Sequence, residues 1–510
     1  MRSLRRISQV VFILAFFTLF LFATYPLETG IPVDIFLWMD PLTGVSAALA
    51  SRAFVSKGIA GLVVLFLTIL FGRFFCGWIC PLGTTIDGTD GVFKAKTGNT
   101  TKTRLQALRF LKYAVLAAFL TAAVFSVQIA GYFDPIPLFT RTTVTVLYPF
   151  FVFLVNGLVG FLMSIGPLEN TVIQINEWLR GNLLPVSTMA FRGSILIGLM
   201  FLAILLAAFV QKRFWCRNLC PLGGLLGLFS KFRWYRRTVS DACNSCKRCH
   251  AVCRTGAIHA DFKGTDHTEC INCMDCQQIC PVHAVRFRFV KKASPAKVDL
   301  SRRQILGAGA AGVLTLGLAK IGFQDFVKRG KAVRPPGALQ EFIFLDRCVR
   351  CGECIRICST SGKGLQHAGL ESGWEGLGTP LLHPPEGYCE YNCNLCGKVC
   401  PTGAIPSLSM DEKHRMKMGT AHFDKTRCIP WYYGDNCLVC EEHCPVPQKA
   451  IKFRKEPVTT IDGRPVEVLL PFVDEAACIG CGICSKCCPL EAEKGIFLTN
   501  AGETRSQTME

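Results

Sequence analysis

No histidine occurs before His250; all nine lie between that residue and His443. A membrane haem of the b type takes axial histidines, so the N-terminal half holds none of its own. Acidic residues are also scarce, 37 against 56 lysines and arginines, for a formal net charge of +19. Such an excess suits a nucleic-acid binder. Here, however, much of it lies in short loops beside apolar segments, where membrane proteins keep their cytoplasmic lysines and arginines. The charge is therefore read as topology, and nucleic acid is excluded as a partner. No acid–base or nucleophilic set is recognisable either, so no chemistry on a small oxyanion is expected in this chain.

What the chain has in quantity is cysteine, 29 in 510 residues. Four groups of four recur in the C-terminal third: Cys348, Cys351, Cys354, Cys358; Cys389, Cys393, Cys396, Cys400; Cys428, Cys437, Cys440, Cys444; and Cys478, Cys481, Cys484, Cys488. Two more precede them, Cys243, Cys246, Cys249, Cys253 and Cys270, Cys273, Cys276, Cys280. Each ends in C-x3-C. In this spacing three thiolates hold three corners of an iron-sulfur cube and the fourth reaches a neighbouring cube. Structural zinc prefers two separated cysteine pairs, and disulfide frameworks belong to short secreted chains. Six [4Fe-4S] clusters are expected. In the first two groups crossed ligation gives Cys243, Cys246, Cys249 with Cys280, and Cys270, Cys273, Cys276 with Cys253. Among the last four groups, the cysteine count allows adjacent or outer-with-inner pairing. Cys487 is spare. Cys246-Lys247-Arg248-Cys249-His250 also spells a c-type haem attachment motif; attachment would consume two cysteines of one group, so no haem is expected.

Apolar stretches at Ile7 to Tyr25, Gly58 to Gly72, Tyr113 to Gly131 and Gly193 to Val210 read as membrane spans. A fifth, Val144 to Gly166, would invert everything after it if it crossed, because the basic loops at 73–112 and 212–237 both belong in the cytoplasm. Asn156, Gly157 and Gly160 interrupt it, so it is expected to re-enter and return, or to lie at the outer interface. An internal repeat supports two helical hairpins. Copy one runs from Asp40-Pro41-Leu42 through a span to Arg73-Phe74-Phe75-Cys76-Gly77-Trp78-Ile79-Cys80-Pro81-Leu82-Gly83. Copy two runs from Asp134-Pro135-Ile136 to Arg213-Phe214-Trp215-Cys216-Arg217-Asn218-Leu219-Cys220-Pro221-Leu222-Gly223. Cys76, Cys80, Cys216 and Cys220 are candidates for a seventh metal or cluster site, or for two dithiols that exchange electrons. Asp40, Asp134, Arg141 and Asn156 are the polar groups available to a quinol head.

The expected architecture is an α-helical membrane domain over 1–237, four spans and one re-entrant or interfacial segment, followed by α+β ferredoxin-like units. Residues 238–290 form a cytoplasmic two-cluster domain. Arg302-Arg303 before a mild apolar run resembles the address for export of folded proteins, so 291–333 is read as a twin-arginine signal anchor and fifth span. Arg334-Pro335-Pro336-Gly337 is expected to be a stiff, exposed link to a periplasmic four-cluster domain over 334–510.

On these motifs the half from Met1 to about Lys297 resembles NapH-type membrane quinol dehydrogenase subunits. The half from Ser301 onward is similar to NapG/MauM-type ferredoxins, through the twin arginine, R-P-P-G-A, C-x2-C-G-x-C and the gap between Cys428 and Cys437. The resemblance implies a multi-pass protein of the bacterial inner membrane that draws electrons from quinol in the membrane quinone pool. It would feed a periplasmic multihaem cytochrome or reductase, nitrate reductase being the best-known client, with a further membrane subunit as a possible partner. It also leaves an alternative, since related membrane parts occur in proteins that support copper-enzyme assembly: a maturation factor supplying electrons to a periplasmic metalloenzyme. Cytoplasmic and periplasmic clusters would be separated by about 30 Å of hydrocarbon, too far for one efficient hop.

Overall fold

A computed structural model describes residues 2–27, 30–92, 108–165, 169–182, 184–185, 190–290, 332–459, 465–491 and 493–507, with a few positions between 307 and 330. The Arg302-Arg303 pair and most of the apolar run after it lie outside the described residues.

The N-terminal part is a helical body. Its helices are α1 (Arg2–Phe22), α2 (Pro41–Ser51), α3 (Ile59–Phe71), α4 (Phe74–Trp78), α5 (Pro81–Val92), α6 (Leu111–Val124), α7 (Pro135–Met163), α8 (Glu169–Asn182), α9 (Ser194–Leu206), α10 (Phe214–Asn218) and α11 (Pro221–Ser230). The repeat is visible as repeated local chemistry. Asp-Pro opens α2 and α7, with proline at the first helical turn where no backbone donor is lost. The five-residue helices α4 and α10 each carry the first cysteine of a motif. The second cysteine is followed by proline, which starts α5 and α11.

Two expectations about the spans change. Among the described residues only Ser3–Phe22 and Pro135–Met163 are long and apolar enough to cross a membrane. The helices α3 and α9 have 13 residues each and α6 has 14, short of the roughly 20 that a full span takes. The stretch from Val144 does not turn back on itself. It continues α7 without a break past Asn156, Gly157 and Gly160, because a Cβ at either glycine would meet nothing and neither residue is needed for a turn. The chain returns instead through α8, which packs along α7 and donates from Arg180 Nη2 to Asn156 Oδ1 at 3.2 Å. Leu184 and Phe191 then join the same core as Tyr148 and Val152. The excursion and return come from two helices.

The first cysteine-rich unit is closed by an antiparallel ribbon, β1 (Tyr235–Val239) on β2 (Val285–Phe289). The second holds three ribbons: β3 (Leu365–His367) with β4 (Pro380–Leu382), β5 (Thr420–Phe423) with β8 (Ile496–Thr499), and β6 (Ile451–Thr459) with β7 (Pro465–Val473). The Arg334-Pro335-Pro336-Gly337 stretch is no exposed link, since all four residues are buried in this second unit. Arg334 donates to Glu341, Thr379 Oγ1 and the Pro380 carbonyl and lies over the Phe344 ring, which draws the segment inward.

Three helices run from one unit to the other. Arg5, at the start of α1, lies 3.0 Å from Asp87 and 4.0 Å from Asp275 of the first unit, while Phe20 near its end accepts from Arg356 of the second. Lys57, just before α3, donates to the carbonyls of Lys398 and Cys400; Phe71, its last residue, accepts from Asn272. Lys112 in α6 pairs with Glu269, and Gln128 beyond its end accepts from Arg350. A 21-residue helix such as α1 is about 30 Å long at 1.5 Å per residue. The two cysteine-rich units therefore sit at opposite ends of the helical body.

The second contact depends on Gly131 and Arg350. A Cβ on Gly131 would lie 1.9 Å from the Val349 carbonyl oxygen, and Arg350 is fully committed to the carbonyls of Gln128, Cys348, Glu375 and Leu377. Gly131→Ala is expected to separate the second unit from the body, read as new protease cleavage between the two. Arg350→Ala is expected to cost about 3 kcal/mol, the scale of losing charge-assisted bonds while leaving buried acceptors bare, measured by denaturant unfolding.

Candidate metal centres

In the second unit the cysteines gather around four small voids. One is lined by Cys348, Cys351, Cys354 and Cys400, and a second by Cys389, Cys393, Cys396 and Cys358. A third is lined by Cys428, Cys437, Cys440 and Cys488, and a fourth by Cys478, Cys481, Cys484 and Cys444. The last cysteine of each group crosses to its neighbour, and adjacent groups pair. Spacing alone leaves that choice open, because it is made by folding of the intervening ribbons. Cys487 lines none of these voids.

The first unit follows the same plan. Cys276 lies within electrostatic reach of Cys270, Cys273 and Cys253, and Cys249 within reach of Cys243 and Cys246. Cys280 lies in one buried core with Cys249, Cys253 and Cys276. Arg254, where a proline stands after the last cysteine of other groups, bonds Asp275 at 2.7 Å and Asp87 at 3.0 Å. The departure from the motif is thus a fastening to the helical body.

The four remaining cysteines converge. Cys80 lies within electrostatic reach of Cys76 and Cys216, and Cys220 within reach of all three. Gly83 N donates to Cys80 Sγ at 3.4 Å and Gly223 N to Cys220 Sγ at 3.2 Å, the same bond in both copies. The arginine of each copy reaches into the other. Arg213 donates to the carbonyls of Cys76 and Gly83, while Arg73 lies where a Cβ on Gly223 would meet its Nη2 at 2.7 Å. Burial first, then the neighbouring thiols, pushes Cys80 and Cys220 above the ordinary thiol range; bound metal would release those protons.

Among the described residues, no three Cys, His, Asp or Glu side chains gather tightly enough to hold a single metal ion. The four cysteine sets of the second unit surround spaces instead, which fits a cluster better than a mononuclear site. These residues define an iron-sulfur protein of the ferredoxin type. A 4Fe-4S binding domain family matches residues 58–100 and 194–240, the two stretches holding Cys76, Cys80, Cys216 and Cys220. The chain is 38% identical over 196 residues to the methylamine utilization ferredoxin-type protein MauM of Methylorubrum extorquens, covering 37% of this chain and 85% of that protein. It is 37% identical over 203 residues to the ferredoxin-type protein NapG of Escherichia coli, 38% of this chain and 84% of NapG. MauM of Paracoccus denitrificans is 39% identical over 166 residues, 31% of this chain and 68% of that relative. No solved structure matches. The chain belongs to the MauM and NapG family of ferredoxin-type proteins, and its role is iron-sulfur electron transfer.

Sequence reasoning passed over the charged fastenings around this site. Burial alone would raise the Asp87 carboxyl, but Arg213, Arg254 and Arg5 outweigh it and hold it well below the usual carboxylate range. A carboxyl lowered in the folded state stabilises above its unfolded value near pH ~4 and loses that contribution as pH falls below it. Acidification from about pH 6 to about pH 3 is therefore expected to weaken the contact of first unit and body. Asp87→Asn should be less stable at neutral pH and flatter over that window, measured as thermal midpoint against pH. Crossed ligation has its own check. Cys358→Ala and Cys393→Ala are expected to alter the same electron paramagnetic resonance (EPR) signal, and Cys351→Ala a different one; a shared signal for Cys358 and Cys351 would refute the crossing.

Proposed function

We propose that the chain is a multi-pass electron-transfer protein of the bacterial inner membrane that oxidises quinol and passes electrons to a periplasmic reductase system. Nitrate reductase, through a multihaem cytochrome, is the leading client. The observation that carries this reading is the pinning of three helices between a unit with two cysteine groups at one end and a unit with four at the other. In it, the 24 cysteines of the six groups hold six [4Fe-4S] clusters, and Cys76, Cys80, Cys216 and Cys220 hold a seventh centre. Residues 238–290 face the cytoplasm and 334–510 the periplasm, in keeping with the basic loop at 212–237 next to the first unit.

Quinol loses two electrons and two protons to become quinone. The clusters accept single electrons and supply the redox chemistry. The protein's contribution is to place them, exclude water and hold thiolates in reach of backbone donors such as Gly83 N and Gly223 N. Resemblance to NapG supports the client, while the buried thiols beside apolar helices support a hydrophobic donor.

An anaerobic titration of the purified protein with menaquinol or ubiquinol analogues tests this. Cluster EPR signals are expected to appear within seconds and to vanish on adding a periplasmic cytochrome. If dithionite reduces the clusters and quinol does not, quinol is not the donor and slow reduction of a client metalloenzyme becomes the better account.

A further inference from the structure

We infer that the chain is also a wire across the membrane. Electrons from a small acidic one-electron carrier enter at Cys243, Cys246, Cys249 and Cys280, cross through the Cys76, Cys80, Cys216 and Cys220 site, and leave through the four-void unit. This rests on the cluster reading above but not on quinol as donor.

Continuity is the first argument. Cys76, Cys80 and Cys220 belong to one apolar core that also contains Ile271 and Cys351, with Cys216 and Cys273 packed against it. On one side, a Cβ on Gly77 would lie 2.5 Å from the Ile271 carbonyl, and Trp78 Nε1 donates to the Asn272 carbonyl at 3.1 Å. The membrane motif therefore rests directly on the Cys270–Cys273 loop. On the other side Val349 and Cys351, of the first void in the four-void unit, close the same core. The site thus rests on the first unit, at one end of a contiguous apolar core whose other end meets Cys351.

Order within the four-void unit is the second argument. The void with Cys351 touches the helical body, since Lys57 donates to the Cys400 carbonyl at 3.0 Å. It exchanges cysteines with the void of Cys389. Cys389 N then donates to the Cys481 carbonyl at 2.8 Å, and the Cys481 void exchanges cysteines with that of Cys428. The series is linear, with the Cys428 void at the end remote from the body.

The entry is the third. Cys246 is the one exposed cysteine of the 29. Its neighbours Lys247 and Arg248 are exposed, as are Arg286 and Arg288 of β2, and Ile279 and Val282 next to Cys280 offer exposed apolar surface. A basic rim around an apolar patch and an accessible ligand fits a small carrier with acidic residues around its own redox group. The carrier loses one electron and a one-electron acceptor protein beyond the four-void unit gains it; no bond is made or broken.

The test uses the full chain in vesicles with residues 238–290 outward, cytochrome c trapped inside and a reduced acidic [2Fe-2S] ferredoxin outside. Trapped cytochrome c is expected to be reduced. The double variant Cys76→Ser, Cys216→Ser should stop this while the EPR signals of the first unit still appear. Lys247→Glu with Arg248→Glu should slow it about tenfold at low salt, a difference lost at high salt, as for steered encounters. The inference is overturned if native protein shows reduced first-unit clusters but oxidised cytochrome c, or if the cysteine variant is as fast as native. Ferredoxin-driven reduction without any quinol-driven reduction would remove the quinol reading and leave this one standing.

Discussion

The exchange of two arginines between the repeat copies is the interaction on which the rest depends. Arg213 satisfies the carbonyls of Cys76 and Gly83 in the other copy while bonding Asp87 at 2.7 Å. Arg73 lies beside the Gly223 turn and bonds the Thr268 carbonyl at 2.9 Å. A buried guanidinium is tolerable only when its donors are paired, so each copy of the motif needs the other. The partners Asp87 and Glu269 are themselves tied to the first unit, through Arg254 and by belonging to it. Closing the four-cysteine site and docking the first unit are thus one event.

The opposite contact is built from different chemistry. Arg141, Arg350 and Arg356 donate almost entirely to backbone carbonyls and lie over the rings of Tyr132, Phe20 and Tyr148. Neutral acceptors and aromatic faces leave these guanidiniums charged close to the Cys348–Cys400 void, beside the buried carboxyl of Glu353. Positive charge beside a cluster stabilises its reduced, more negative form. The void nearest the helical body is therefore the one whose surroundings would favour a reduced cluster.

Much of this was legible in the sequence because thiol spacing and proline placement are local constraints. The six groups, the repeat and the equivalence of Asp40 with Asp134 could be read directly. The pairing of the last four groups depends on which ribbons form between them, and no local pattern encodes it. Hydropathy marks Val144 to Gly166 as a span, and what misled there was Gly157 and Gly160, which look like breaks although a helix accepts them at modest cost. Hydropathy passed over Glu169–Asn182, whose mixed polarity conceals a packing helix. The signal for Arg73 and Arg213 was available, since both stand three residues before the first cysteine of their motif. What it lacked was the direction of reach, which only the pseudo-symmetric packing supplies.

Asp40 and Asp134 form a buried pair where the two copies meet. Asp40 caps α2 by accepting from Leu42 N and Thr43 N, and Thr43 Oγ1 donates to Asp134 at 3.4 Å. Both carboxyls are wholly buried and close enough to hydrogen-bond each other. Two like charges in such a place cannot both persist, so burial and mutual repulsion keep at least one protonated. The seam where the two copies meet is therefore a buried carboxyl pair at one end and a converging set of thiols at the other, with apolar side chains between. That arrangement places the titratable groups at the ends of the body and leaves apolar side chains packed continuously between Cys273 and Cys351.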